Sequence, residues 1–253
     1  MALPADKSVF CSLVIPCYNE AENIPPLVEG FAGAPGPDDF ELIIVDNGST
    51  DPSASALSVL GARFPFLRVV SVPENRGYGY GITQGLRAAR GRYTGWAHGD
   101  MQYSPAELLK AAESLRQEGE AKIFLKGLRS SRPIAETVFT VGMAAFESLL
   151  FARPLWDINA QPTLFHRSLL DHWSGAPADF SLDLYAYALA NKLGFVIKRR
   201  ALHLSERSRG RSSWNRGFCD RFKLAASTVK SSLRIRRELN RAIIPAVDRE
   251  EWQ

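Results

Sequence analysis

The sequence predicts an α/β fold, a mostly parallel sheet flanked by helices and followed by a basic amphipathic helix. Three observations predict it. Short β-branched runs alternate with helical segments across the first half of the chain. Polar clusters recur where those runs end, and open α/β sheets bind ligands beyond the carboxyl ends of their strands. The chain then turns basic: Lys198 to Arg241 holds 14 Lys/Arg against 3 Asp/Glu, so the rest of a chain of net charge +4 carries −7.

Each element follows in order. Phe10 to Ile15 reads as a buried strand, and Glu20 to Phe31 as a helix with Pro25-Pro26 in its first turns. Phe40 to Val45 is the clearest strand, Pro52 to Phe64 a helix and Leu67 to Val72 a third strand. Ile82 to Ala89 is a helix, Tyr93 to Ala97 a strand, Pro105 to Gln117 a helix and Lys122 to Leu125 a strand. Pro133 to Phe151 is an amphipathic helix, Ala160 to Phe165 a strand, Ser181 to Leu193 a helix and Phe195 to Leu204 a late strand. No linker or repeat divides this run, so residues 1–216 read as one catalytic domain and 217–253 as a helical appendage.

Composition narrows the class. With 45% hydrophobic and 23% charged residues, the 253-residue chain is not disordered and can bury a substantial core. No apolar run reaches the ~18 residues of a spanning helix, and Met1 to Lys7 lacks the basic start and apolar core of a signal peptide. Cys11, Cys17 and Cys219 have neither metal-ligand spacing nor an even count. A cytoplasmic protein is expected, able to lie peripherally on the inner face of a membrane.

The polar clusters carry the chemistry. Pro16-Cys17-Tyr18-Asn19-Glu20, Asp46-Asn47-Gly48-Ser49-Thr50-Asp51 and His98-Gly99-Asp100-Met101-Gln102 all fall at strand ends. Gly77-Tyr78-Gly79-Tyr80-Gly81 fails as a dinucleotide fingerprint, because its spacing is wrong and no strand runs into it. Its glycines are expected to permit close backbone approach between a loop and the next helix.

With Asn75-Arg76-Gly77-Tyr78-Gly79, Asp157 to Pro162, Phe180 to Tyr185 and Arg207 to Asn215, these motifs resemble, in order, family 2 glycosyltransferases. They are most similar to dolichyl- and polyprenyl-phosphate sugar synthases. The resemblance implies the GT-A nucleotide-diphosphosugar transferase fold and a nucleotide-sugar donor. It implies that Pro16, Tyr18, Glu20, Val45 and Asn47 form the nucleoside slot, with Asn47 where the family usually has an acid. Asp100 matches the second acid of Asp-X-Asp and would bind Mg²⁺ or Mn²⁺ with the diphosphate, Gly99 lying beside it and Gln102 adding an oxygen. His98 replaces the first acid, either as a metal ligand or as a direct contact to the diphosphate. Arg129 and Arg207 match phosphate-contacting positions, and Ser213 stands where a phosphate-binding lysine is common. Asp183 matches the acceptor-side acid.

The expected reaction is an inverting, metal-assisted sugar transfer to a polyprenyl phosphate. A saccharide or lipid-linked glycan hydroxyl is the alternative, with Asp183 as the general base it would need. A sugar-nucleotide-binding protein without activity is the second alternative, since His98 and Asn47 replace family acids. Lys223, Lys230, Arg234, Arg236, Arg237 and Arg241 share the terminal helix with Phe218, Phe222, Leu224, Leu233 and Ile235. That composition suits an anionic membrane surface, while packing on the domain or self-association as a homo-oligomer is the competing use. Nucleic acid is not an expected partner.

Overall fold

A computed structural model describes residues 8–118, 122–129, 134–203 and 218–241. Its strands are β1 (Cys11–Cys17), β2 (Phe40–Asn47), β3 (Leu67–Val72), β4 (Tyr93–Trp96), β5 (Ile123–Arg129), β6 (Thr163–His166) and β7 (Val196–Leu202). Its α-helices are α1 (Ile24–Gly33), α2 (Ser53–Arg63), α3 (Tyr78–Ala88), α4 (Pro105–Glu118), α5 (Ile134–Phe151), α6 (Leu182–Lys192) and α7 (Phe218–Arg241), and a 3-10 helix spans Arg167–His172.

The strands form one sheet in the order β3-β2-β1-β4-β6-β5-β7. β1 and β2 pair in parallel with Leu13 opposite Leu42 and Ile15 opposite Ile44, near-continuous apolar runs suited to a sheet covered on both faces. β6 alone runs antiparallel to its neighbours, β4 and β5. This reversal brings the start of β6 to the carboxyl ends of the flanking strands, with Thr163 opposite both Trp96 and Lys126.

Two cores cover the two faces. Leu13, Ile15, Leu27, Leu42, Leu108 and Leu115 lie in one, beneath α1 and α4. Val14, Val45, Ile82, Trp96, Phe165 and Tyr185 lie in the other, beneath α3 and α6. Ile235 and Leu239 of α7 join this second core, so Ile235 faces the domain rather than a membrane. Lys230, Leu233, Arg234, Arg236, Arg237 and Arg241 are exposed.

Several boundaries differ from the sequence reading: β5 runs on to Arg129 rather than ending at Leu125, β6 starts at Thr163 rather than Ala160, and two helices start elsewhere. α1 starts at Ile24, because the backbone at Glu20 accepts from Asn23 and Ile24 N–H in a preceding turn. α3 starts at Tyr78 rather than Ile82: its glycines form its first turn instead of a loop. A Cβ at Gly79 would stand 2.3 Å from the Pro177 carbonyl oxygen, and one at Gly77 (φ 104°) 2.5 Å from that of Ala178. The low helix propensity of glycine is outweighed by this close packing.

Candidate active site

Three loops at the carboxyl edge of the sheet build the first half of the site. Asn19, in the left-handed region at φ 54°, donates its N–H to Ser49 Oγ at 3.0 Å. Its side-chain oxygen accepts from Thr50 N–H at 2.8 Å. Glu20 N–H donates to Ser53 Oγ at 3.0 Å and Ala21 N–H to Asp51 Oδ2 at 3.1 Å. Hydrogen bonds from Ser53 and Ala21 hold the Asp51 carboxyl below its ordinary range, the Ser53 hydroxyl contributing most. The loops after β1 and β2 are thus fastened together. Tyr18 is left 44% exposed, an accessible ring for stacking. Pro16 pairs with the fully buried Val45 in the strand register. Asn47 is buried, and its Nδ2 donates to the Gly77 carbonyl at 3.0 Å, tying β2 to the start of α3.

The third loop crosses the end of β1. A Cβ at Gly99 would stand 3.1 Å from Ile15 Cγ2, which shows how closely the backbone passes. Met101 takes a left-handed conformation at φ 56°, and Gln102 N–H donates to Asp100 Oδ1 at 3.2 Å. Asp100 and Gln102 therefore share one tight turn. Among the described residues, no three His, Cys, Asp or Glu side chains gather into a self-contained metal site. That donor set fits a hard divalent ion whose shell is completed by substrate phosphates and water, for which one or two protein oxygens suffice. His98 Nε2 lies 3.3 Å from Tyr78 Oη, with the two rings 5.5 Å apart.

The second half converges on Asp183, in the first turn of α6 and 2% exposed. Its Oδ1 accepts from Gln161 Nε2 at 2.9 Å and Lys126 Nζ at 3.1 Å, with Thr163 Oγ1 at 3.5 Å. Its Oδ2 accepts from Tyr78 Oη at 3.3 Å. Lys126 is fully buried and also donates to Thr163 Oγ1 at 2.8 Å. Burial pulls the Lys126 ammonium down to about 8, against the opposing pull of Asp183. Burial, then the Asp183 charge, pushes the Tyr78 hydroxyl well above its ordinary value, so it stays protonated. Phe180 stacks on Tyr78 at 4.5 Å while remaining 45% exposed.

The structure thus brings His98 and Asp183 to either side of Tyr78, and Asp100 and Gln102 into one turn. Arg129 closes β5 opposite Leu202, while Arg207 and Ser213 lie outside the described residues. Sequence reading missed Tyr78, Lys126, Gln161 and Thr163. Lys126 had a visible signal: it is a charge directly after the apolar run Ile123-Phe124-Leu125. A separate surface hollow lined by Pro35, Pro37, Leu109 and Arg116 lies at the opposite end of the sheet, where Asp39 meets the start of β1, and has no part in this site.

Comparison with known proteins points the same way. The profile of glycosyl transferase family 2 matches residues 12–143. A dodecaprenyl-phosphate galacturonate synthase of Rhizobium johnstonii is 35% identical over 114 residues, 44% of this chain and 34% of that protein. The dolichol-phosphate mannosyltransferase of Saccharomyces cerevisiae is 30% identical over 111 residues, 43% of this chain and 42% of that protein. The matches therefore span well under two thirds of these relatives' length. Glucosyl-3-phosphoglycerate synthase from Mycobacterium tuberculosis, solved with Mn²⁺, UDP-glucose and phosphoglyceric acid, superimposes with a TM-score of 0.69 at 20% identity, covering 90% of this chain and 80% of that one. A mannosyltransferase from Pyrobaculum calidifontis, solved with GDP-mannose and Mn²⁺, gives 0.63 at 22% identity over 95% of this chain and 72% of that one. The fold is the GT-A fold that the sequence motifs implied.

Proposed function

The chain belongs to glycosyl transferase family 2, and we propose that it moves a sugar, with inversion, from a nucleotide-diphosphate donor to a polyprenyl phosphate. The observation that carries this reading is the state of Asp183. A hydroxyl acceptor needs a base that can reach it and take its proton. Asp183 is buried, and its two oxygens already accept from Lys126, Gln161, Thr163 and Tyr78. A phosphate acceptor arrives ionised and needs no base. The relatives named for dodecaprenyl-phosphate and dolichol-phosphate substrates support the same choice.

In this reading Tyr18 stacks on the base, and Pro16, Glu20, Val45 and Asn47 shape the nucleoside slot. Asp100 and Gln102 hold Mg²⁺ or Mn²⁺ with the donor diphosphate, beside Gly99. The bound ion neutralises charge that develops on the leaving diphosphate. Arg129, Arg207 and Ser213 serve the phosphates. The exposed Lys230, Arg236, Arg237 and Arg241 of α7 face an anionic membrane surface by charge.

The test is an acceptor panel with UDP- and GDP-sugars and Mg²⁺ or Mn²⁺, comparing a polyprenyl phosphate with saccharide acceptors. Glycosylated polyprenyl phosphate is expected. Product from hydroxyl acceptors alone overturns the reading.

A further inference from the structure

Among the described residues Lys126 is the one fully buried lysine, and no motif assigns it a task. Enclosing an ammonium is costly unless it is paired and its protons are placed. Here two of its three protons are placed, on Thr163 Oγ1 at 2.8 Å and Asp183 Oδ1 at 3.1 Å. The pair does not stop there. Asp183 Oδ2 accepts from Tyr78 Oη at 3.3 Å, and Tyr78 Oη lies 3.3 Å from His98 Nε2.

The direction of each bond in this chain follows from its members. A tyrosine hydroxyl has one proton to give. Of the three groups it meets, Gln161 Nε2, at 3.4 Å, can only donate to it, the carboxylate is an acceptor only, and charge-assisted bonds are the stronger ones. Tyr78 therefore donates to Asp183, and its oxygen accepts. The contact with His98 is then a hydrogen bond only if Nε2 carries the proton. A ring nitrogen that carries a proton has no lone pair for a metal ion. The tyrosine itself has little freedom to turn away: Phe180 stacks on its ring, and the backbone at Gly77 and Gly79 is packed against Pro177 to Asp179.

We propose that Lys126, Asp183 and Tyr78 are positioning residues that hold His98 as an Nε2–H imidazole beside the diphosphate site, so that Asp100 and Gln102 carry the cation and His98 Nε2 does not ligate it. The proposal rests on the reading of Asp100 and Gln102 as the cation–diphosphate site. It gives the residue that replaces the family's first acid a task at one remove from the ion.

The experiment uses the full chain labelled with ¹⁵N-histidine and reads the ring nitrogens by long-range ¹H–¹⁵N correlation, with His98→Asn identifying the His98 signals. Wild type is expected to show a protonated, pyrrole-type Nε2, unchanged on adding Mg²⁺ with UDP or GDP. Tyr78→Phe keeps the shape and leaves the Lys126–Asp183 pair in place. It is expected to shift the His98 Nε2 signal, because the ring loses the oxygen it donates to. An Nδ1–H ring in wild type, or signals unmoved in Tyr78→Phe, overturns the proposal. In parallel, Mn²⁺ binding with UDP or GDP is measured by electron paramagnetic resonance. His98→Asn is expected to keep its affinity while Asp100→Asn loses about tenfold or more. Equal losses in the two variants overturn the proposal. If wild type binds no Mn²⁺ with either nucleotide, the donor-site reading fails, and the tautomer result still decides whether the positioning chain exists.

Discussion

Two buried carboxylates stand at opposite ends of the sheet and are stabilised in different ways. Glu41, at the start of β2, is 1% exposed and accepts from Ser12 Oγ at 2.7 Å and from Arg90 Nε at 2.9 Å. Its cations, Arg90 and Arg68, keep 59% and 44% of their side chains in solvent. Only one charge of this cluster is taken from water, and the arginine stems lie along the surface. Asp183 is matched instead by Lys126, a cation with no exposure at all. Both charges of that pair are desolvated, and their hydrogen bonds lead to Tyr78 and His98. The first arrangement fastens strands; the second is the costlier kind that sites use to fix geometry.

The largest effect is expected at the Lys126–Asp183 pair. Lys126→Met leaves a buried carboxylate without its cation and is expected to cost about 3–5 kcal/mol in chemical denaturation. A loss below about 1 kcal/mol would show that water reaches Asp183 and that the two ends are alike. Glu41→Gln is expected to cost about 2 kcal/mol, the scale of hydrogen bonds to a charged group. Its specific activity per folded molecule should be retained, and a fall would place Glu41 in the site.

A third buried carboxylate sharpens the contrast, because no cation faces it among the described residues. Glu147 of α5 accepts from Ser232 Oγ of α7 at 3.3 Å, and burial pushes its carboxyl up to about 7 from 4.5. The folded state holds this proton more tightly than the unfolded chain does. Its contribution to stability is therefore full below pH 4.5 and is lost as the pH rises through about 7. Unfolding free energy should fall by about 3 kcal/mol from this group between those values, and Glu147→Gln should flatten the slope. An unchanged slope in the variant would assign the pH dependence elsewhere. The smallest effect belongs to Arg234 and Asp179, 3.7 Å apart with both side chains about half exposed. Arg234→Gln should change the melting free energy by less than about 0.5 kcal/mol.

Much of the fold was legible because the signals were local. The runs Phe40 to Val45 and Leu67 to Val72 show their burial in their own composition, and β3 matches its expected limits. The loop residues around Asn19, Asp51 and Asp100 were legible because polar turns after apolar strands are rare enough to mark an edge. The Asp183 cluster was not, because it joins α3, β5, the start of β6 and α6, elements far apart in sequence. Gln161 and Thr163 were hidden further by the direction of β6. They lie just before and at the start of a strand, and only its antiparallel course carries them to the edge where the other strands end. The first turn of α3 was misread because glycine signals a loop locally, and the reason for it here is the backbone of Pro177 and Ala178, far along the chain.

That contact has an engineering consequence. Tyr80 N–H donates to the Ala178 carbonyl at 3.1 Å, and Gly77 and Gly79 leave no room there for even a methyl group. Residues 77–80 and 177–183 are therefore seated as one block, although the chain visits them separately. A loop graft, a chimera junction or a randomised library that changes one segment alone will shift Tyr78 relative to Asp183. The transplantable unit of this site is discontinuous, and a crossover between the two segments is safe only when both come from the same parent.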